Sequence, residues 1–166
     1  MTGASREHDL IVFKLAMVLG NQLRGRTCEA YANDMRVKVK VRDYVYPDLV
    51  IVCDTPEFED TQGDILLNPT QLSAVLSPST EQYDRGGKFE SYRTLNSFQE
   101  YVLIAQDRPH VERYVRQEKG AWLLSEVNGL DKSIELSSIG CTLHLSDIYE
   151  KVSLEKSSDQ NQGHPG

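Results

Sequence analysis

Pro47-Asp48-Leu49-Val50-Ile51-Val52-Cys53-Asp54 is the stretch from which the fold is read. Leu49 to Val52 is aliphatic without a polar interruption and mostly β-branched, so neither face of a strand here can be left to water. It predicts a central strand covered on both sides. Asp48 stands at its entrance, beside an apolar interior and with no base next to it in sequence. Downstream, Leu72-Ser73-Ala74-Val75-Leu76 reads as a second apolar strand, stopped by Ser77-Pro78-Ser79-Thr80. Val50, Val52, Leu72, Val75 and Leu76 are therefore expected to be nearly free of solvent. Upstream, Leu10, Ile11, Phe13, Leu15, Val18, Leu19 and Leu23 recur mostly at helical steps and predict a buried helix over about residues 6–24. Ser5 suits its N-cap and Gly25 its C-terminus.

Between these elements, residues 28–32, 35–40 and 43–46 are short β-prone stretches that suggest a meander or hairpin. Met35, Val37 and Val39 alternate with Arg36, Lys38 and Lys40, the pattern of a half-exposed strand. The acidic, turn-rich stretch from Thr55 reads as a surface excursion ending in a short strand at Ile65-Leu66-Leu67. Helical spacing returns at Tyr83, Lys88-Phe89, Tyr92-Arg93 and Leu95, with Gly86 and Gly87 weakening its first turn. Strands follow at 98–104 and 111–116 and from Trp122, with two shorter ones near 133–136 and 141–145, then a short helix to about Val152. The polar tail is expected to be disordered.

The chain has 166 residues, 39% of them hydrophobic and 26% charged, which fits one globular domain and sets aside collagen-like, coiled-coil and wholly disordered classes. With no apolar run of about 18 residues and no leader pattern, a cytoplasmic location and no membrane partner are expected. Twenty-five acids against 18 bases leave a net charge of −7, so attraction to nucleic-acid phosphates would need a local patch. Lys38, Lys40 and Arg42, with Tyr44 and Tyr46 beside them, form one such strip, read either as a nucleic-acid contact or as a solvated strand face. Cys28, Cys53 and Cys141 are few, odd in number and far apart, and read as reduced thiols. His8, His110, His144 and His164 share no mutual spacing and read as structural or solvated. Phosphate-binding glycine loops, dinucleotide fingerprints, HExxH and nucleophile elbows are missing.

The ordered set of Pro47-Asp48, Val75-Leu76-Ser77-Pro78-Ser79-Thr80, Tyr83-Asp84-Arg85-Gly86-Gly87-Lys88 and Glu100-Tyr101 resembles the Uma-type bacterial family of restriction endonucleases, within the PD-(D/E)xK nuclease superfamily. The resemblance spans about residues 1–152 and implies an α/β, restriction-endonuclease-like mixed central sheet with flanking helices and a β-rich C-terminal extension, followed by a tail over 153–166. It further implies hydrolysis of DNA phosphodiesters with magnesium or manganese, with a homodimer as an open option. A hard cation held by carboxylates polarises the phosphate and lowers the pKa of the attacking water. On this resemblance Asp48 is the metal-binding acid and Lys88 the catalytic lysine, carried on a helix because Leu76 occupies the strand position where the wider superfamily places it.

The chain departs from that pattern at Ala74, where relatives carry a second metal-binding glutamate, and it begins where they already have a helix and a strand behind them. Weak metal binding and slow or absent cleavage of DNA are the expectation that follows for an endonuclease with this change, and the competing reading is a non-catalytic interaction module or remnant that kept the fold. Two plainer readings stay open as well: Asp48 as an acceptor for backbone donors in a turn, and Asp84 with Lys88 as a surface ion pair.

Overall fold

A computed structural model describes residues 5–40 and 43–154. A six-stranded sheet organises the molecule, in the order β1-β4-β6-β7-β8-β9. Its strands are β1 (Glu29–Ala32), β4 (Leu49–Val52), β6 (Gln71–Leu76), β7 (Glu100–Ala105), β8 (His110–Arg116) and β9 (Trp122–Asn128). β4 runs antiparallel to both β1 and β6, so Val50 lies opposite Tyr31 on one side and Leu72 on the other. β6 and β7 are parallel, joined by a crossover, and β8 and β9 continue the sheet as antiparallel hairpins. Every residue of β4, β6 and β7 is buried, as strands covered on both faces must be. Val50, Val52 and Leu72 are fully enclosed, and Val75 and Leu76 nearly so.

Because side chains alternate, the two faces of the sheet hold two separate cores. Helix α1 (Arg6–Gln22) lays Ile11, Leu15 and Leu19 on the face that carries Leu49, Ile51 and Val75. Each such side chain contributes roughly 1.5–3 kcal/mol by leaving water. The hairpin of β10 (Ser133–Leu136) and β11 (Cys141–His144) and the short helix α4 (Leu145–Ile148) complete this layer. On the other face lie Val50, Val52, Leu72, Ala74 and Leu76. They are covered by Phe89, Tyr92 and a small sheet of β2 (Arg36–Lys40), β3 (Asp43–Val45) and β5 (Ile65–Leu66). The crossover from β6 to β7 is a helical segment in three pieces: α2 (Glu81–Tyr83), a π-helical turn at Asp84–Lys88 and α3 (Phe89–Arg93). No helix among the described residues is long and apolar enough to cross a membrane.

Several expectations are corrected. β1 leaves the anticipated meander: only β2 and β3 form a hairpin, while β1 pairs with β4. That pairing carries Cys28 opposite Cys53, and the two form a disulfide across 25 residues of sequence. Reduced thiols were the reading for both, because spacing alone does not reveal that β1 and β4 are neighbours. Cys141 is the free, buried thiol that was expected. Arg42 and the tail beyond residue 154 lie outside the described residues.

Candidate functional site

At the C-terminal end of β6 the sheet opens into a cleft of about 540 Å³ between the start of α1 and the β6-to-β7 crossover. Its lining includes His8, Asp48, Val75, Asp84, Lys88 and Gln106. Asp48 and Lys88, the two residues singled out from sequence, thus meet in one cavity although 40 residues apart. The β4–β6 ladder is registered as far as Leu49 and Ser73, and one residue beyond it the Asp48 carboxylate takes over the role of backbone acceptor. Its Oδ2 accepts the Val75 N–H at 2.7 Å. The plainer reading of Asp48 accounts for that oxygen. The other, Oδ1, faces His8 Nε2 at 3.2 Å.

Lys88 is brought in by the π-helical turn, a geometry that accommodates an extra residue and recurs at functional sites. Gly87 helps it form: a Cβ there would stand 3.1 Å from the ring of Tyr83. Lys88 Nζ lies 3.2 Å from Asp84 Oδ1. The surface ion pair read from the i, i+4 spacing is corrected here, because Asp84 is only 3% exposed. Its backbone carbonyl accepts the hydroxyl of buried Tyr101 at 2.9 Å, which ties the turn to β7. Burial pushes the Asp84 carboxyl above its ordinary range, Lys88 opposes this, and the charge of Asp48 pushes it further up. Asp84 is therefore a second carboxylate within electrostatic reach of Asp48, and the sequence reading missed it. His8 is raised in turn, chiefly by its hydrogen bond to Asp48, against the opposing effect of burial.

The donor chemistry suits a cation. Gln106 Oε1 is a buried acceptor without a hydrogen-bond partner, Asp84 Oδ1 is answered only by the Lys88 ammonium at 3.2 Å, and both residues line the cleft. Ala74 offers no oxygen: its methyl group is buried with Leu72, Leu76 and Leu103, on the side of the sheet that α3 covers.

Other sequence candidates lie elsewhere. Lys38 is paired with Glu59, which also accepts from the Tyr44 hydroxyl at 2.9 Å, and Arg36 lies 3.4 Å from Asp64. Within the strip a local acid therefore answers Lys38, while Lys40 remains exposed. His110, read as structural or solvated, forms a buried network. Its Nδ1 meets Asn128 Oδ1 at 2.6 Å and its Nε2 meets Glu112 Oε2 at 2.9 Å, with Glu126 Oε2 at 3.7 Å. Arg85, paired with Glu112 and 2.9 Å from Glu81, ties this network to the crossover helix.

A mixed sheet with helices on both faces, and a carboxylate and a lysine converging beyond the end of its central strand, defines a domain of restriction-endonuclease-like fold. The solved structure of "a putative nuclease belonging to DUF820" from Anabaena variabilis ATCC 29413 has this architecture, with a TM-score of 0.73 over 91% of this chain and 84% of that one, at 17% identity. The chain belongs to the Uma2 family, described as "Putative restriction endonuclease", whose model matches residues 1–146. Two uncharacterized proteins of Synechocystis sp. (strain PCC 6803) are similar along most of their length. One, slr1290, is 34% identical over 150 residues, covering 90% of this chain and 77% of the relative. The other, sll1609, is 35% identical over 138 residues, covering 82% and 78%.

Proposed function

We propose that the chain hydrolyses DNA phosphodiesters with a divalent cation, in the cleft at the end of β6. One observation carries this reading: Asp48, with one oxygen fixed by a backbone N–H and the other turned away from it, shares the cavity with buried Asp84 and with Lys88. Asp48 and Asp84 would hold the cation, and Gln106 offers it a neutral oxygen. A cation bound there supplies polarisation of the phosphate and a more acidic water. The hydrogen bond from Val75 holds the Asp48 carboxylate in one orientation, so no reorganisation is needed when substrate arrives. Lys88, a cation on a four-carbon stem, can turn from Asp84 to a phosphate oxygen and stabilise charge that develops as the bond breaks.

Ala74 favours a second reading, in which the domain keeps the fold as a non-catalytic interaction module. Supercoiled plasmid with manganese or magnesium distinguishes the two. Nicking that disappears in Asp48→Ala and in Lys88→Met, with melting temperatures preserved, supports hydrolysis in this cleft. Nicking that persists in both variants moves any activity elsewhere, and a well-folded wild-type chain that cuts nothing favours the module.

A further inference from the structure

Ala74 cannot supply the second carboxylate of the pair that the family resemblance implies, yet besides Asp84 a nitrogen stands close to Asp48. His8 Nε2 is 3.2 Å from Asp48 Oδ1. Two ligands at right angles on one cation, with bonds of about 2.1 Å, stand about 3.0 Å apart. This gap is therefore close to the spacing of two neighbouring positions in a coordination shell, and a cation can sit between the two atoms.

Both partners are held from behind. Asp48 is fixed through Oδ2 by Val75 N–H. His8 is fixed by the first turn of α1, where its backbone N–H donates to Ser5 Oγ at 3.1 Å and its side chain is 17% exposed. The other ring nitrogen, Nδ1, is buried without a hydrogen-bond partner, and Asp9 Oδ1 lies 3.8 Å from it. Ligating histidines characteristically have an acceptor on that side, reached directly or through water.

Resting on the reading of the cleft as a cation site, we propose that His8 Nε2 is a metal ligand alongside Asp48 Oδ1, and that the site prefers a first-row transition cation, for which Mn2+ serves as the spectroscopic probe, over Mg2+. Magnesium takes oxygen ligands and keeps its waters, whereas an imidazole nitrogen favours transition ions. The cluster of His110, Glu112 and Glu126 is the competing place for such an ion. There, however, Glu112 is already paired with Arg85 and with His110.

The test uses untagged full-length protein with Mn2+ or Mg2+ alone. Calorimetry gives the affinities, and pulsed electron paramagnetic resonance of bound Mn2+ detects directly coordinated nitrogen without any variant. Expected are tighter binding of Mn2+ than of Mg2+ and one strongly coupled nitrogen. In His8→Ala the coupling should disappear and Mn2+ affinity should fall by more than the roughly 10–100-fold that a lost outer-shell partner typically costs. His110→Ala should leave both unchanged. Mn2+ binding that needs Asp48 but shows no coordinated nitrogen overturns the role of His8 while leaving the cation site standing. A nitrogen signal abolished by His110→Ala also overturns it. Folded wild-type protein that binds neither ion overturns the cation site itself.

Discussion

In Ala74→Glu a carboxylate enters a place that now holds a methyl group, 4% exposed and buried with Leu72, Leu76, Phe89 and Leu103. Two terms oppose it. Forcing extra atoms into a packed region costs about 1–3 kcal/mol. Taking a carboxylate out of water adds several kcal/mol unless a cation answers it. Lys88 already faces Asp84 at 3.2 Å, so without metal it would be shared with one more acid. Together they amount to a net loss of roughly 4–8 kcal/mol, which for a chain of this size lowers the melting temperature by about 10–30 °C. A divalent ion changes the sign of the electrostatic term. Free ion at about 100 times its dissociation constant returns about 2.7 kcal/mol, on the order of 5–10 °C. The assay is thermal unfolding with and without MnCl2 and MgCl2, alongside plasmid nicking. The variant should recover more than wild type, should gain use of Mg2+ because it adds an oxygen donor, and should lose both on adding Asp48→Ala. A variant that melts early and recovers with neither ion would refute the idea that Ala74 adjoins a cation site. One that melts like wild type would show that the position is not enclosed as described.

Val75→Ala and Leu76→Ala, at positions 2% and 3% exposed, should each cost about 1–4 kcal/mol in denaturant unfolding, since both leave cavities in different cores. Burial pushes the Glu112 carboxyl up, but Arg85 and His110 outweigh it and hold it below its ordinary value of 4.5. Its stabilisation is thus fully present above that value and is lost as pH falls through the lowered one; Arg85→Ala should move the acid-unfolding midpoint to higher pH. Cys28→Ser should lower the stability of the oxidised protein by roughly 3 kcal/mol, the entropy of closing a loop across 25 residues. Thiol titration of the wild type should find one reactive group, Cys141, and only after unfolding.

Patterns that span a few residues carried most of the architecture. The run at Leu49–Val52 had to be a strand buried on both faces because nothing in it tolerates water, and the spacing from Ile11 to Leu23 had to be a helix lying on a core. What sequence could not show was partnership across distance. Cys28 meets Cys53 only because β1 chooses β4, and nothing local in either strand states that choice. His8 belongs to the site only because α1 begins beside the start of β4. Asp84 is the most instructive miss. Its spacing from Lys88 fits an exposed pair as well as a buried one, and a contact that ties its turn to the sheet, the Tyr101 hydroxyl on its carbonyl, comes from 17 residues on. Lys88 and Asp48 were found because motif order, rather than chemistry visible at either position, pointed to them.

The π-helical turn at Asp84–Lys88 sets a phase relation between the two halves of the crossover helix. On one side of it Phe89 and Tyr92 are keyed into the aromatic core, and at its own ends Asp84 and Lys88 address the cleft. Each residue of an α-helix advances about 100°. Deleting Gly86 or Gly87 would straighten the turn into ordinary α-helix and leave the two halves about 100° out of step, so that core and cleft could not both keep their side chains. Length at this point therefore behaves as an all-or-none variable. Relatives that are one residue shorter here must either rotate the lysine off the cleft or re-anchor the helix, whereas side-chain changes at the same glycines can be graded.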